Sequence, residues 1–399
     1  MTNEMFVMPT YARFPVTLVR GSGSLVWDED GVEYLDFTGG LGALILGHAH
    51  PAWVAAVTQA AGTLGLVSNL YMTNPQAELA ERLAGLLPIP DACVFFCNSG
   101  AEANEALLKL VRRWGLPQGK TQIVALDGSF HGRTIGALAA TGQPSKRTAF
   151  EPLVDWFRFV EPEDLEALER ALTPGNVAGV LVEPVMGEGG VHPLSRGYLR
   201  GVRALCDASG ALFAVDEVQS GMGRCGAWLA VTDADVIPDI ASLAKALGGG
   251  FPIGALVSRA DLAFGPGDHA STFGGGPLAA SAALAVIDVI EQEGLLTRAV
   301  ELGSYLSEAV LSTAPAGALA AARGRGCLLG FQLAAGTDAG AVANAALRAG
   351  VLCSTAGPDV IRMSPPLTAT TAECDRAAQG LAAALEAVRG SAAAQEVSA

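Results

Sequence analysis

Charge is what this chain has least of. Only 16% of its 399 residues are charged, and the basic ones are outnumbered 25 to 40. The net charge of -15 excludes a surface built to track nucleic-acid phosphates or an anionic membrane, so no nucleic acid and no membrane partner is expected. An anionic ligand must be caught by locally placed arginines working against the field of the whole molecule. The seven cysteines (Cys93, Cys97, Cys206, Cys225, Cys327, Cys353, Cys374) are odd in number, scattered and without a CxxC pair. That excludes a disulfide framework or a zinc site and leaves reduced, buried thiols. His48-Ala-His50 has metal-like spacing but no acidic or cysteine partner nearby, so no metal is expected. The opening MTNEMFVMPTYARF lacks a basic stretch followed by an apolar one. Residues 37–77 carry no Asp, Glu, Lys or Arg, yet His48, His50, Pro51, Gln59 and Asn69 interrupt them. They read as a buried interface, not as a membrane span. A cytoplasmic protein is expected.

Half of the residues are hydrophobic, which describes a compact enzyme with a large core or subunit interface. Val16 to Phe37 alternates around Asp28-Glu29-Asp30-Gly31, as a β-hairpin or meander does. Helical patterns then fall near 51–62, 76–87, 101–113, 163–172 and 196–209. Short β-type runs fall at 93–97, 122–126, 177–182, 211–215, 240–243 and 255–258. Such alternation predicts an α/β fold with a mainly parallel sheet covered by helices. After Phe273 the pattern changes to helices at 277–292 and 294–312, strands near 327–333, 351–354 and 360–363, and a last helix at about 370–388. We expect an N-terminal segment (1–47) packed with the small domain, a large domain (48–275), a small α+β domain (276–388) and a flexible tail (389–399).

Two segments carry chemistry. The apolar run Leu212 to Val215 stops abruptly at Asp216 and Glu217, and a second short run, Ile240 to Leu243, leads to Lys245 and three glycines. A strand-end carboxylate followed by a lone lysine is what pyridoxal phosphate chemistry requires. The lysine amine forms a Schiff base with the aldehyde, and the carboxylate keeps the ring nitrogen protonated so that the ring accepts electrons. Taken alone, the pair reads equally well as a helix-capping acid and a solvated loop lysine. Upstream, Cys93 to Cys97 runs into Asn98-Ser99-Gly100-Ala101-Glu102, a strand, a tight turn and a helix start. Ser99 and Glu102 have capping-box spacing, and such a helix end suits a phosphate or is simply a capped helix. Ser271-Thr272-Phe273-Gly274-Gly275-Gly276 offers hydroxyls beside flexible backbone, for a phosphate contact or a domain hinge. Gly324-Arg-Gly326 imitates a dinucleotide loop but precedes a strand, so it is a turn. The charged run 161–170 is a solvated helix face.

With these pieces in order along one chain, the sequence resembles the class III (ω-amino acid) aminotransferases of pyridoxal 5'-phosphate fold type I. The resemblance covers nearly the whole chain: YARFPVTLVRGSGSLVWDEDGVEYLDF, LGHAHP, SNLYMTNPQAELAERL, FFCNSGAEANEALLK, GSFHGRT, EPVMGEGGV, VDEVQSGMGR, LAKALGGGFPIGA, STFGGGPLA and IRMSPPL. SNLY…PQ together with FHGRT points to the acetylornithine branch. The resemblance implies roles. Lys245 would hold the cofactor and move the proton, Asp216 would pair with the ring nitrogen, Val218 and Phe130 would flank the ring, and Gln219 would lie near its phenolic oxygen. Ser99, Gly100 and Ala101 would hold the phosphate, and Thr272 would reach the phosphate of a neighbouring subunit, implying an obligate homodimer with shared sites. Arg133 would grip the far carboxylate of an amino acid or 2-oxo acid, and Arg362 the near carboxylate of glutamate. Glu188 would neutralise Arg362 when an ω-amine is bound, and Ser271 joins this substrate side. His131 is either a partner of Asp216 or a core histidine. Met186 stands where the pattern has Gln, and Gly276 where it has Asn. Ornithine, γ-aminobutyrate or a carrier-linked lysine precursor as donor, a 4-aminomutase, and a cofactor-silent paralogue are the rival readings.

Overall fold

The structure is a computed structural model that describes residues 6–398. Its centre is a seven-stranded sheet in the order Ala92–Cys97, Gly254–Arg259, Ile240–Leu243, Leu212–Asp216, Val177–Val182, Gln122–Leu126, Phe157–Val160. All strands run parallel except Gly254–Arg259, which is antiparallel to both neighbours. Val177–Val182 and Leu212–Asp216 are buried at every position, because helices cover both faces and leave no room for a polar alternation. The helix Gly100–Gly115 shows why it packs: Ala103, Asn104, Leu107, Leu108 and Val111 form one buried stripe at helical spacing.

The N-terminal meander has strands Leu18–Ser22, Leu25–Asp28 and Glu33–Asp36, and Val351–Leu352 from near the other end of the chain extends it in parallel. A further antiparallel sheet has the order Leu319–Arg325, Leu328–Leu333, Val360–Met363, Ser354–Thr355. Helices Pro277–Gln292, Leu295–Thr313 and Ala339–Arg348 lie in this half of the chain.

Several elements differ from the sequence expectation. Strand Leu319–Arg325 is absent from the sequence expectation: its LAAA opening has poor β-propensity, and Gly324 (φ 139°) and Gly326 (φ 53°) turn it into a hairpin. Phe157–Val160, a four-residue edge strand, and the helix Ala339–Arg348 are likewise additions to it. The last helix runs Thr371–Ser398, past its expected end at 388, since the alanines after Gly390 favour its continuation. The expected tail is thus helical to Ser398, while Ala399 lies outside the described residues. All seven cysteines are free, and all but Cys93 are buried. Among the described residues no helix is long and apolar enough to cross a membrane.

Candidate active site

Five strands of the central sheet, Ala92–Cys97, Gln122–Leu126, Val177–Val182, Leu212–Asp216 and Ile240–Leu243, point their carboxyl ends at one edge. In open α/β sheets that edge is where ligands bind. A cavity of about 430 Å³ opens there, lined by Gly100, Phe130, Arg133, Glu188, Asp216 and Lys245 among others.

Asp216 ends its strand and is only 4% exposed. Its Oδ2 accepts a hydrogen bond from Asn104 Nδ2 at 2.7 Å and meets His131 Nδ1 at 2.8 Å, while its Oδ1 accepts from the Val218 N–H at 3.0 Å. Asn104 is fixed in turn: Nδ2 also donates to the His131 carbonyl at 2.7 Å, and Oδ1 accepts from the Ser242 hydroxyl at 2.7 Å. The carboxylate is therefore buried and rigidly aimed, which a low-dielectric site requires of it.

Lys245 follows the next strand after a single intervening residue, Ala244, and opens the tight turn Lys245–Gly248 with φ at 42°. A side chain in that left-handed region costs of order 1–3 kcal/mol and persists only where the surroundings enforce it. Its amine makes no hydrogen bond or ion pair among the described residues. Burial first, and then the Arg362 cation, push its pKa down to about 8, against the opposing pull of Glu188, Asp216 and Glu183. An unpartnered amine that becomes neutral near physiological pH is a nucleophile.

At the opposite end, Ser99 caps the helix Gly100–Gly115: its hydroxyl accepts from the Glu102 N–H at 3.2 Å. The Glu102 carboxylate returns to Asn98, accepting from its N–H at 2.6 Å and its Nδ2 at 2.9 Å. With the cap so completed, the Gly100 and Ala101 N–H groups remain without a partner among the described residues. They sit at the positive end of a 16-residue helix, an anion site. A Cβ at Gly100 would stand 2.6 Å from Val218 Cγ1, so only glycine lets Val218 close onto this turn.

The remaining wall is held by Glu183, whose Oε1 accepts from the Phe130 N–H at 2.8 Å and Oε2 from the Gly187 N–H at 3.2 Å. Burial raises its pKa against the pull of the nearby His131. Arg133 is exposed at the mouth, its guanidinium 5.6 Å from the Phe130 ring centre. Arg362, on strand Val360–Met363, is 2% exposed. Its Nη1 donates to Glu188 Oε1 at 2.5 Å, to the Gly187 carbonyl at 3.2 Å and to Gln219 Oε1 at 3.3 Å, and its Nε donates to Ser354 Oγ at 3.1 Å. Burial works to raise the Glu188 pKa, but Arg362 outweighs it and holds that carboxyl below its ordinary value.

The structure thus brings together Ser99, Gly100, Ala101, Phe130, Arg133, Glu188, Asp216, Val218, Gln219 and Lys245 around the cavity, with Arg362 behind Glu188. Ser271 and Thr272 stand outside it. Ser271 Oγ accepts from the Gly274 N–H and Asn98 Nδ2, and the exposed Thr272 lines a second cavity beside Asn69 and Met72. His131 contacts Asp216, which decides between its two readings. Met186 is buried in the core and does not line the cavity, and Gly276 precedes the helix Pro277–Gln292. Asn104 and Glu183 are site residues beyond the sequence expectation, although each leaves a signal in the sequence. Asn104 is a polar residue on an otherwise apolar helix stripe, and Glu183 directly follows the apolar strand Val177–Val182, much as Asp216 closes its own.

Taken together, these residues fit a flat, phosphate-bearing aldehyde with a basic ring nitrogen. The free amides suit the phosphate, the fixed carboxylate suits the nitrogen, and the bare amine suits the aldehyde. Comparison with known proteins gives the family. The family model described as aminotransferase class-III matches residues 6–385. The acetylornithine aminotransferase of Methanopyrus kandleri is 46% identical over 386 residues, covering 96% of this chain and 98% of that relative. Among solved structures, N-acetylornithine aminotransferase from Stenotrophomonas maltophilia superposes with a TM-score of 0.84 at 37% identity, over 96% of this chain and 98% of that one. Ornithine aminotransferase from Toxoplasma gondii, described with partial occupancy of PLP at its active site, gives 0.91 at 32% identity, over 97% of this chain and 94% of that one. With the family model matching residues 6–385 and a relative 46% identical over nearly its full length, the chain belongs to the class-III aminotransferases, a family of pyridoxal-phosphate-dependent transaminases.

Proposed function

We propose that this transaminase takes the δ-amine of N2-acetylornithine, leaving N-acetylglutamate 5-semialdehyde, and passes it to 2-oxoglutarate to form glutamate. The observation that carries the reading is the Glu188–Arg362 pair at 2.5 Å beside the cavity. An enzyme that alternates between a δ-amine donor and glutamate meets a carboxylate near the reacting carbon in only one of its two half-reactions. A bare, buried Arg362 would be an uncompensated cation in the other.

Pyridoxal 5'-phosphate, when bound, supplies the aldehyde and the electron-accepting ring. Gly100 and Ala101 would hold the phosphate with their N–H groups, Asp216 would keep the ring nitrogen protonated, Phe130 and Val218 would flank the ring, and Gln219 would face its phenolic oxygen. Lys245 Nζ would carry the proton between the substrate carbon and the aldehyde-derived carbon of the cofactor, in opposite directions in the two half-reactions. Arg133 would grip the far carboxylate of either substrate in a bidentate pair. Arg362 would take the near carboxylate of glutamate once Glu188 turns away.

Glu188→Ala is therefore expected to lower kcat/KM of the acetylornithine half-reaction by about tenfold or more, the worth of one charge-assisted hydrogen bond, and to spare the glutamate half-reaction. Single-turnover absorbance on each substrate checks this. Equal losses in both would reduce the pair to a structural salt bridge.

A lysine whose pKa is lowered to about 8 also sets a pH profile. Below 8 its neutral fraction grows about tenfold per pH unit. The rate at which cofactor-free protein captures pyridoxal phosphate is expected to climb to pH 8 and then level. A rate still climbing toward pH 10 would mean an ordinary, solvated lysine.

The same reading includes a homodimer. Leu64, Leu66, Leu70, Tyr71, Met72 and Phe273 are exposed apolar residues around or near Thr272, the kind of patch that marks an interface. Thr272 would serve the partner's phosphate site. Residues 48–275 would form the cofactor-binding unit and 276–388 the smaller one. The pairing of Glu33–Asp36 with Val351–Leu352 supports grouping residues 1–47 with the latter.

A further inference from the structure

The loop that carries Glu188 is gripped by two arginines. Arg362 and Arg323 lie on the strands either side of Leu328–Leu333, and both are in register with Gly330. Gly330 has no side chain because Val191 seats there: a Cβ would stand 2.7 Å from Val191 Cβ. Arg362 Nη1 donates to the Gly187 carbonyl at 3.2 Å, and Arg323 Nε donates to the Gly190 carbonyl at 2.7 Å. Arg323 is itself steered, since its Nη2 donates to Gln332 Oε1 at 2.9 Å, and Gln332 Nε2 donates to Asp359 Oδ2 at 2.6 Å. Between the two anchored carbonyls sit Glu188 and Gly189, followed by Gly190 at φ 97°, a conformation that side chains rarely adopt.

We infer that Arg323, outside the cavity, is a specificity-determining positioning residue: by pinning the Gly190 carbonyl it holds the loop in the state where Glu188 covers Arg362. Releasing the pin lowers the cost of turning Glu188 away. That favours a ligand with a near carboxylate and disfavours the ω-amine substrate. The inference rests on the Glu188–Arg362 reading above and adds a residue to it.

The test compares cofactor-loaded wild type, Arg323→Met, Gln332→Ala and Glu188→Ala. Arg323→Met keeps bulk and removes the donors. With one hydrogen bond lost, the half-saturating acetylornithine concentration is expected to rise about fivefold, and that for glutamate to fall. Glutarate, a non-reacting dicarboxylate, is expected to bind more tightly by calorimetry. Gln332→Ala, which frees Arg323 without removing it, is expected to act in the same direction more weakly, and decides the matter should Arg323→Met fail to fold. Parallel changes for both substrates, or none, with Glu188→Ala still splitting the half-reactions, would overturn the role of Arg323 alone. No split in Glu188→Ala either would overturn the reading beneath it.

Discussion

Lys245→Ala is expected to lower transamination by at least about 10⁴-fold, because one substitution removes both the nucleophile that holds the aldehyde and the base that moves the proton. Few side chains can be deleted with so little structural consequence. The amine has no hydrogen-bonding partner among the described residues, so no buried group is stranded by its loss. Alanine meets the same left-handed backbone at φ 42°, and the stability change is expected to stay within about 1 kcal/mol. Activity and thermal stability should therefore separate cleanly. A Lys245→Ala protein that keeps more than a hundredth of wild-type turnover would remove the lysine from the chemistry. One that loses activity only by unfolding would leave the role unproven, so circular dichroism and melting accompany the assay. The chain has only four lysines, Lys109, Lys120, Lys146 and Lys245, so borohydride reduction of the loaded protein followed by peptide mapping locates the attachment point with little ambiguity.

Asp216→Asn is expected to cost about 10²- to 10³-fold in kcat, the scale of removing one preorganised electrostatic contact. Three donors now converge on this side chain: Asn104 Nδ2, the Val218 N–H and His131. An amide has one acceptor oxygen and two N–H donors of its own, so whichever way it turns, donor faces donor. It also carries no charge to hold a proton on a ring nitrogen. The loss should appear in both half-reactions alike, unlike the split expected of Glu188→Ala. Less than a tenfold loss would show that the ring works without this carboxylate.

The central strands and the edge that carries the site were legible because a strand covered on both faces must be continuously apolar. An acid at the end of such a run, as in LFAVD, is conspicuous. The capped helix turn was legible from Ser99 and Glu102. What stayed hidden depends on partners far away in sequence. Asn104 meets Asp216 across 112 residues, and Arg323 meets Gly190 across 133, distances that no local pattern encodes. Arg224 is the extreme case: a fully buried arginine that donates to the carbonyls of Gly42, Cys327 and Pro365, from three remote segments, with no carboxylate among its hydrogen-bond partners. Strand Leu319–Arg325 was hidden for another reason: its alanines fit a helix, and pairing with Leu328–Leu333 overrides that preference.

The most direct test is an absorbance titration of the loaded enzyme, adding N2-acetylornithine, ornithine, γ-aminobutyrate and glutamate separately. The account predicts that the band of the lysine-bound cofactor bleaches at the lowest concentration with acetylornithine, and also with glutamate. Bleaching first with ornithine or γ-aminobutyrate would contradict the proposed substrate and leave the transaminase site standing.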